Sequence, residues 1–232
     1  MIRFIKSLEI NSEKQVKAFP IMSITTQSNW YEIYRNKQKI FDLWAPNYDL
    51  LFTTIFYQAV HKRLLEYVEL PENPNVLDLG CGTGRLLHRL ATQFSTLQGT
   101  GLDLSSQMLH QARQRNQHRP RLIFKQGNAE SLPFAEGQFD AVFNTISFLH
   151  YPQPQQVFSE VNRVLRQGGR FYLVDYIGRK KTVSLSIPLF SNNLRFYSRE
   201  QREQFGTVAG MECLGHHFLL GPVMLTIYER IG

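Results

Sequence analysis

Cysteine is scarce in this chain, with only Cys81 and Cys213 among 232 residues. Two isolated thiols cannot build a disulfide framework, and their scarcity fits a reducing compartment. They give no reason to expect a structural zinc site either, and no metal is expected. Long apolar runs are also missing. None approaches the roughly 20 residues needed to cross a bilayer. Lys6, Glu9, Glu13 and Lys14 break up what would be the apolar core of an N-terminal signal. A cytoplasmic protein, at most peripheral to a membrane, is the expectation. Internal repeats and low-complexity tracts are absent as well, so nothing suggests a disordered or fibrous protein.

What is present is an ordinary core-forming composition, 43% hydrophobic and 19% charged, of a length that suits one α/β domain. The net charge of +7 serves solubility first. Attraction to anionic lipid or to an acidic substrate comes second. Nucleic acid ranks last as a partner, because the basic residues are not interleaved with aromatics in one module. Two basic clusters stand out. Arg113, Arg115, Arg119 and Arg121 read as a solvated face, whereas Arg179, Lys180 and Lys181 fall among apolar residues.

Three segments are expected along the chain: a poorly patterned leader over 1–28, a helical substrate cap over 29–70 and the main domain over 71–232. Met22 opens a segment that would serve equally well as a start, and the leader is expected to pack little. In the cap, Tyr57, Val60, Leu64, Leu65 and Val68 recur at helical spacing, and Pro71 and Pro74 end the pattern. Beyond it the period keeps switching. Strand-like runs at 76–79, 97–102, 122–124, 139–143 and 171–174 alternate with helical stretches. Ser105 is placed to cap one of these helices, and Pro154 to start another that Gly168 and Gly169 stop. Such alternation implies a parallel sheet with helices on both faces. The last two runs, 211–220 and 223–230, are joined only by Gly221-Pro222, a turn too short for a crossover, so they must be antiparallel.

The most informative motif is VLDLGCGTG, Val76 to Gly84, where a strand passes into a helix. Its three glycines permit a tight turn and close approach of a ligand to the main-chain N–H groups. The dinucleotide fingerprint G-x-G-x-x-G would need a third glycine where Arg85 stands. Asp103 follows about twenty residues later at the end of the second strand, where a carboxylate can accept hydrogen bonds from ribose hydroxyls.

The G-x-G-x-G spacing with Asp78 ahead of it resembles motif I of the class I S-adenosylmethionine-dependent methyltransferases. Gln126-Gly127-Asn128-Ala129-Glu130, followed by Ser-Leu-Pro-Phe, is similar to their adenine-reading loop. Asn128 replaces the usual Asp there, and its oxygen accepts the same hydrogen bond without the charge. Phe139 to Asp175 resembles their fourth strand, helix, glycine turn and fifth strand. Phe41 to Phe52 resembles the segment that folds over the methionine end of the cofactor. Quinone-biosynthesis C-methyltransferases and bacterial phospholipid N-methyltransferases are the nearest likenesses. The resemblance implies a Rossmann-like seven-stranded, mostly parallel α/β sheet with a C-terminal antiparallel hairpin. It also implies S-adenosylmethionine as cofactor, with a binding set of Tyr48, Asp78, Gly80, Cys81, Gly82, Thr83, Gly84, Asp103, Leu104, Met108, Asn128, Ala129, Glu130 and Asn144.

A sulfonium methyl is already a strong electrophile, so the protein mainly has to align the acceptor and exclude water. A base is required only for an acceptor that loses a proton. His150, after the fourth strand, is the candidate base, with Tyr48 and Tyr151 as positioning groups; His216 and His217 are read as structural. The expected acceptor is a small, partly apolar molecule such as a quinol or lipid. An NAD-dependent oxidoreductase fails at Arg85. A nucleic-acid methyltransferase would more often carry N-P-P-Y or D-P-P-Y where Asn144 to Ser147 reads NTIS. A non-catalytic cofactor-binding protein of the same fold is the remaining alternative.

Overall fold

A computed structural model describes residues 51–178, 183–185 and 194–232, together with the helical positions Arg35, Gln38 and Lys39. The leader, the first half of the expected cap apart from those three positions, Tyr48 and the Arg179–Lys181 cluster lie outside the described residues.

Helix α1 (Leu51–Leu65) carries Val60 and Leu64 fully buried at the helical spacing seen in the sequence. Val68 still packs on the core, beyond the helix end. The main domain then alternates as expected: β1 (Asn75–Leu79), α2 (Arg85–Gln93), β2 (Gln98–Asp103), α3 (Ser106–Arg115), β3 (Leu122–Gln126), β4 (Phe139–Thr145), a short 3-10 turn (Phe148–His150), α4 (Pro154–Val164) and β5 (Leu165–Tyr176). Ser105 caps α3 by accepting from the Met108 N–H at 3.1 Å. Helix α4 ends at Val164, ahead of the two glycines, which fall instead within the irregular start of β5.

Seven strands form one sheet in the order β3-β2-β1-β4-β5-β9-β8, where β8 spans Met211–Leu220 and β9 spans Val223–Arg230. The first five run parallel; β9 pairs antiparallel with both β5 and β8. The C-terminal hairpin is therefore as the short turn requires. Strand residues alternate between two cores. Val76, Ala141 and Phe143 pack with α1, α2 and α3, whereas Leu77, Val142, Phe171 and Leu173 pack with α4. Because the chain leaves β1 in one direction for β2 and β3 and returns on its other side as β4, the β1/β4 edge is a topological switch point, where ligands bind in open α/β sheets.

Three elements escape a reading by periodicity. Strands β6 (Val183–Leu185) and β7 (Leu194–Phe196) form a small separate hairpin, and α5 (Arg199–Val208) follows it. The start of α5 is a capping box: Ser198 accepts from the Gln201 N–H while the Gln201 side chain reaches back to the Ser198 N–H at 3.0 Å. The first arginine cluster is largely exposed, as expected, but two of its members also tie backbone together. Arg113 donates to the Phe124 carbonyl at 2.8 Å, and Arg121 to those of Ala91 and Leu97, each at 3.0 Å.

Candidate active site

The glycine turn after β1 is closed by its own backbone. Gly80 and Cys81 both donate N–H to the Leu102 carbonyl, at 2.8 and 3.1 Å, and Gly84 donates to Cys81 at 2.9 Å. Gly82 donates to Asp103 Oδ2 at 2.8 Å. These N–H groups are thus committed inside the protein, contrary to the expectation that they face a ligand. The glycines contribute conformation and room. Gly80, at φ +66°, could carry a Cβ only 2.6 Å from that of Ser147, whereas a Cβ on Gly82 would meet nothing within 4 Å.

Asp103 accepts from Gly82 and, through Oδ1, from the Ser105 N–H at 2.9 Å. A carboxylate has about four lone-pair positions. Asp103 can therefore brace the turn and still present acceptors to the cavity of about 440 Å³ that it lines, a size within the range for a small-molecule site. The expected residues Gly80, Gly82, Asp103, Leu104, Met108, Asn128 and Ala129 meet there, joined by His150 and Tyr151 from the segment after β4. Asn128 Oδ1 already accepts from the Glu130 N–H at 3.0 Å, an Asx turn that fixes the loop.

Other expected residues lie elsewhere. Asp78, Cys81 and Thr83 line a smaller adjoining cleft of about 40 Å³. Glu130 is buried away from the cavity, accepting from the Gln153 N–H at 2.8 Å and its amide at 2.9 Å. Asn144 lies fully buried at the end of β4, donating to the Leu79 carbonyl at 3.0 Å and to Tyr151 Oη at 2.9 Å. Gly84 packs between Phe124 and Ala112. These three are supports, placed by tertiary packing.

Sequence reasoning also missed residues. Tyr57, Ile146, Ser147, Leu149, Pro152, Tyr176, Leu194 and Phe196 also line the larger cavity. Ile146 holds φ +52°, an outlier for a β-branched residue and the kind of strain stored at functional turns. No local signal in the sequence marks it.

Electrostatics separate the two cavities. In the small cleft neither carboxylate oxygen of Asp78 has a hydrogen-bond partner, and burial, then the nearby Asp103, pushes its pKa well above the usual carboxylate value. His61, only 4% exposed, lines the same cleft with both ring nitrogens unpartnered; burial and the charges of Arg89 and Arg85 push it down to about 3. In the larger cavity burial holds the Tyr151 hydroxyl well above its ordinary pKa, so it stays a phenol. Asp175, fully buried behind this wall, accepts from the Leu149 N–H at 2.9 Å and so anchors the turn that carries His150. Its own pKa is raised to about 6 by burial, against the pull of Arg202.

Comparison with known proteins agrees with this geometry. Residues 76–169 match the model of a methyltransferase domain. The chain is 34% identical over 208 residues to a demethylmenaquinone methyltransferase of Lactiplantibacillus plantarum, covering 85% of this chain and 87% of that one. A fatty-acid O-methyltransferase of Mycolicibacterium smegmatis is 38% identical over 141 residues, 61% of this chain and 51% of the relative. Among solved structures, geranyl diphosphate C-methyltransferase of Streptomyces coelicolor, in complex with S-adenosyl-L-homocysteine, superposes with a TM-score of 0.66 at 18% identity, covering 75% of this chain and 77% of that one. The chain belongs to the class I S-adenosylmethionine-dependent methyltransferases.

Proposed function

We propose that this methyltransferase acts on a small, partly apolar acceptor of the quinol or lipid type, held in the larger cavity between the β4 turn and β7. The carrying observation is the composition of that wall: Tyr57, Leu149, Pro152, Tyr176, Leu194 and Phe196 line the cavity together with His150. A largely apolar wall that includes a histidine suits an acceptor that must be desolvated and, where it is acidic, deprotonated. The quinone and fatty-acid substrates named for the two sequence relatives are of this kind.

The cofactor supplies an electrophilic methyl group, and the chain's part is to hold and shield it. In this reading Asp103 and Asn128 accept hydrogen bonds from the ribose and adenine. The unpartnered Asp78 and His61 fit opposite ends of an amino-acid tail, one facing an ammonium and the other a carboxylate. Tyr48, as expected from its motif, would close over that tail. His150 takes the acceptor's proton, and Tyr151, held neutral, orients the acceptor oxygen as a donor. Arg179, Lys180 and Lys181, in the segment just before β6, would draw the cavity mouth towards anionic lipid.

The deciding experiment is methyl transfer to a panel of demethylated quinols, fatty acids and phospholipid headgroups. Wild type should methylate at least one apolar class. His150→Phe should lower kcat by about 10²- to 10⁴-fold, the usual contribution of a general base, while binding the cofactor normally. A protein that binds S-adenosylmethionine yet methylates none of these would overturn the acceptor assignment. Flotation with anionic vesicles, weakened by salt and by converting the three cations to Gln, tests the membrane contact.

A further inference from the structure

We propose that Glu203, Cys213 and His216 form a transition-metal site of the zinc class that fastens α5 to the edge of the sheet. Cys213 and His216 are three residues apart on β8, and in a regular strand such residues point to opposite faces. A bulge intervenes. Cys213 pairs with Tyr228 and His216 with Thr226, so the extra residue falls between them. Tyr228 and Thr226 are two apart on β9 and share a face, which brings their partners onto one face as well. That face looks at α5: the Tyr228 hydroxyl donates to the Arg202 carbonyl at 3.0 Å, and Arg202 donates to Thr226 Oγ1 at 3.4 Å.

The three side chains converge from two elements. His216 Nε2 stands 2.9 Å from Glu203 Oε1 and 3.8 Å from Cys213 Sγ, and all three ligand atoms lie within 4.8 Å of one another. The other ring nitrogen, Nδ1, lies 3.0 Å from Thr226 Oγ1. A hydroxyl at that nitrogen fixes the ring and leaves Nε2 turned to the cluster, the arrangement by which outer partners orient a metal-bound imidazole. An ion at the centre would satisfy sulfur, nitrogen and carboxylate at once, whereas without one His216 Nε2 has to serve both the carboxylate at 2.9 Å and the sulfur at 3.8 Å.

The donor set chooses the metal class. Calcium and magnesium take oxygen ligands, whereas one thiolate, one imidazole and one carboxylate suit zinc or its cobalt substitute. His216 has 11% of its side chain exposed and Glu203 51%, so the ligands are held from the inside while water reaches the fourth position. The cluster joins a helix to a strand and lies apart from the residues that line the larger cavity, so the ion's role is to brace. Helix α5 begins three residues after Phe196, which lines the larger cavity, and fixing its register would steady that wall.

Cobalt(II) added to the full-length protein, stripped first with a chelator, tests this directly. One equivalent per chain should produce a thiolate-to-cobalt charge-transfer band, and zinc should displace it and raise the melting temperature. Cys213→Ser should abolish the band, His216→Ala should remove tight binding, and Thr226→Val should weaken it by about 10- to 100-fold, as loss of an outer partner does. Failure of the wild type to bind either metal saturably would overturn the site. So would a band that persists undiminished in both Cys213→Ser and His216→Ala. The wild-type titration decides the matter even where a variant fails to fold.

Discussion

The two faces of the sheet bury charge in opposite ways. Beside β1, Asp78 and His61 are 1% and 4% exposed and neither has a hydrogen-bond partner. On the other face Arg202, also 1% exposed, donates to the carbonyls of Met224, Asp175 and Tyr176 at 3.0 to 3.1 Å and to Thr226 Oγ1. Folded proteins pair nearly all of their buried polar groups. A buried charge whose terminal donors are matched is part of the framework. Two complementary groups left unmatched in one cleft mark where the framework expects a ligand. Burial alone would not have told the two apart, but the partners do.

Arg202→Met should produce the largest effect. It strips donors from three carbonyls and leaves Asp175 without its nearby cation, so stability should fall by about 3–5 kcal/mol, the usual cost of breaking a buried charged network. Urea unfolding measures it, and cofactor affinity of the folded fraction should hold. A variant as stable as wild type would erase the contrast between the faces.

Asp78→Asn should do the reverse. Removing an unmatched buried carboxyl should leave stability within about 1 kcal/mol of wild type, while affinity for S-adenosylhomocysteine drops by about 1–3 kcal/mol, the cost of a lost charged hydrogen bond. Calorimetry beside a denaturation curve separates the two quantities. Asp103→Ala should lose similar affinity but also stability, since it frees the Gly82 and Ser105 N–H groups. If Asp78→Asn unfolded at much lower urea with its affinity intact, Asp78 would be framework after all.

The smallest effect is a pH slope. His61 has a pKa lowered from 6.5 to about 3 in the fold, so the stability it contributes is complete above pH 6.5 and is lost as pH falls towards 3. Asp175 is raised from 3.8 to about 6, so its contribution runs the other way: it is complete below about pH 4 and lost as pH rises through 6. Across pH 4 to 6 the two slopes oppose each other. His61→Phe should leave the Asp175 slope alone, with stability falling as pH rises through that window. Urea midpoints at pH 4, 5 and 6 in wild type and variant would show it, and identical profiles would refute the assignment to His61.

Much of this was legible beforehand. The alternation of periods announced the parallel sheet, and a two-residue turn forced the final hairpin because no crossover fits in it. Gly80, Gly82, Asp103 and Asn128, singled out for a backbone conformation or an acceptor at or just past a strand end, line one cavity. Glu130 and Asn144 were placed in the same motifs, but their side chains turn to Gln153 and to Leu79 and Tyr151. Helix α5 went unread although its S-x-x-Q box was in plain view, since the loop before it carries no period. The distant partners had no signal at all. Tyr57, Tyr176 and Phe196 come from three separate elements, and nothing local ties them together.

The sequence by itself determined the fold class, the parallel run of the first five strands, the antiparallel final pair and the cofactor, because those depend on periodicity, turn length and a contiguous motif. Tertiary structure decided which buried polar groups go unmatched, which apolar residues wall the acceptor cavity, and that Glu203, Cys213 and His216 converge. Those facts depend on distances between elements far apart in the chain, and on a bulge between Cys213 and Gly215 that brings Cys213 and His216 to one face of β8.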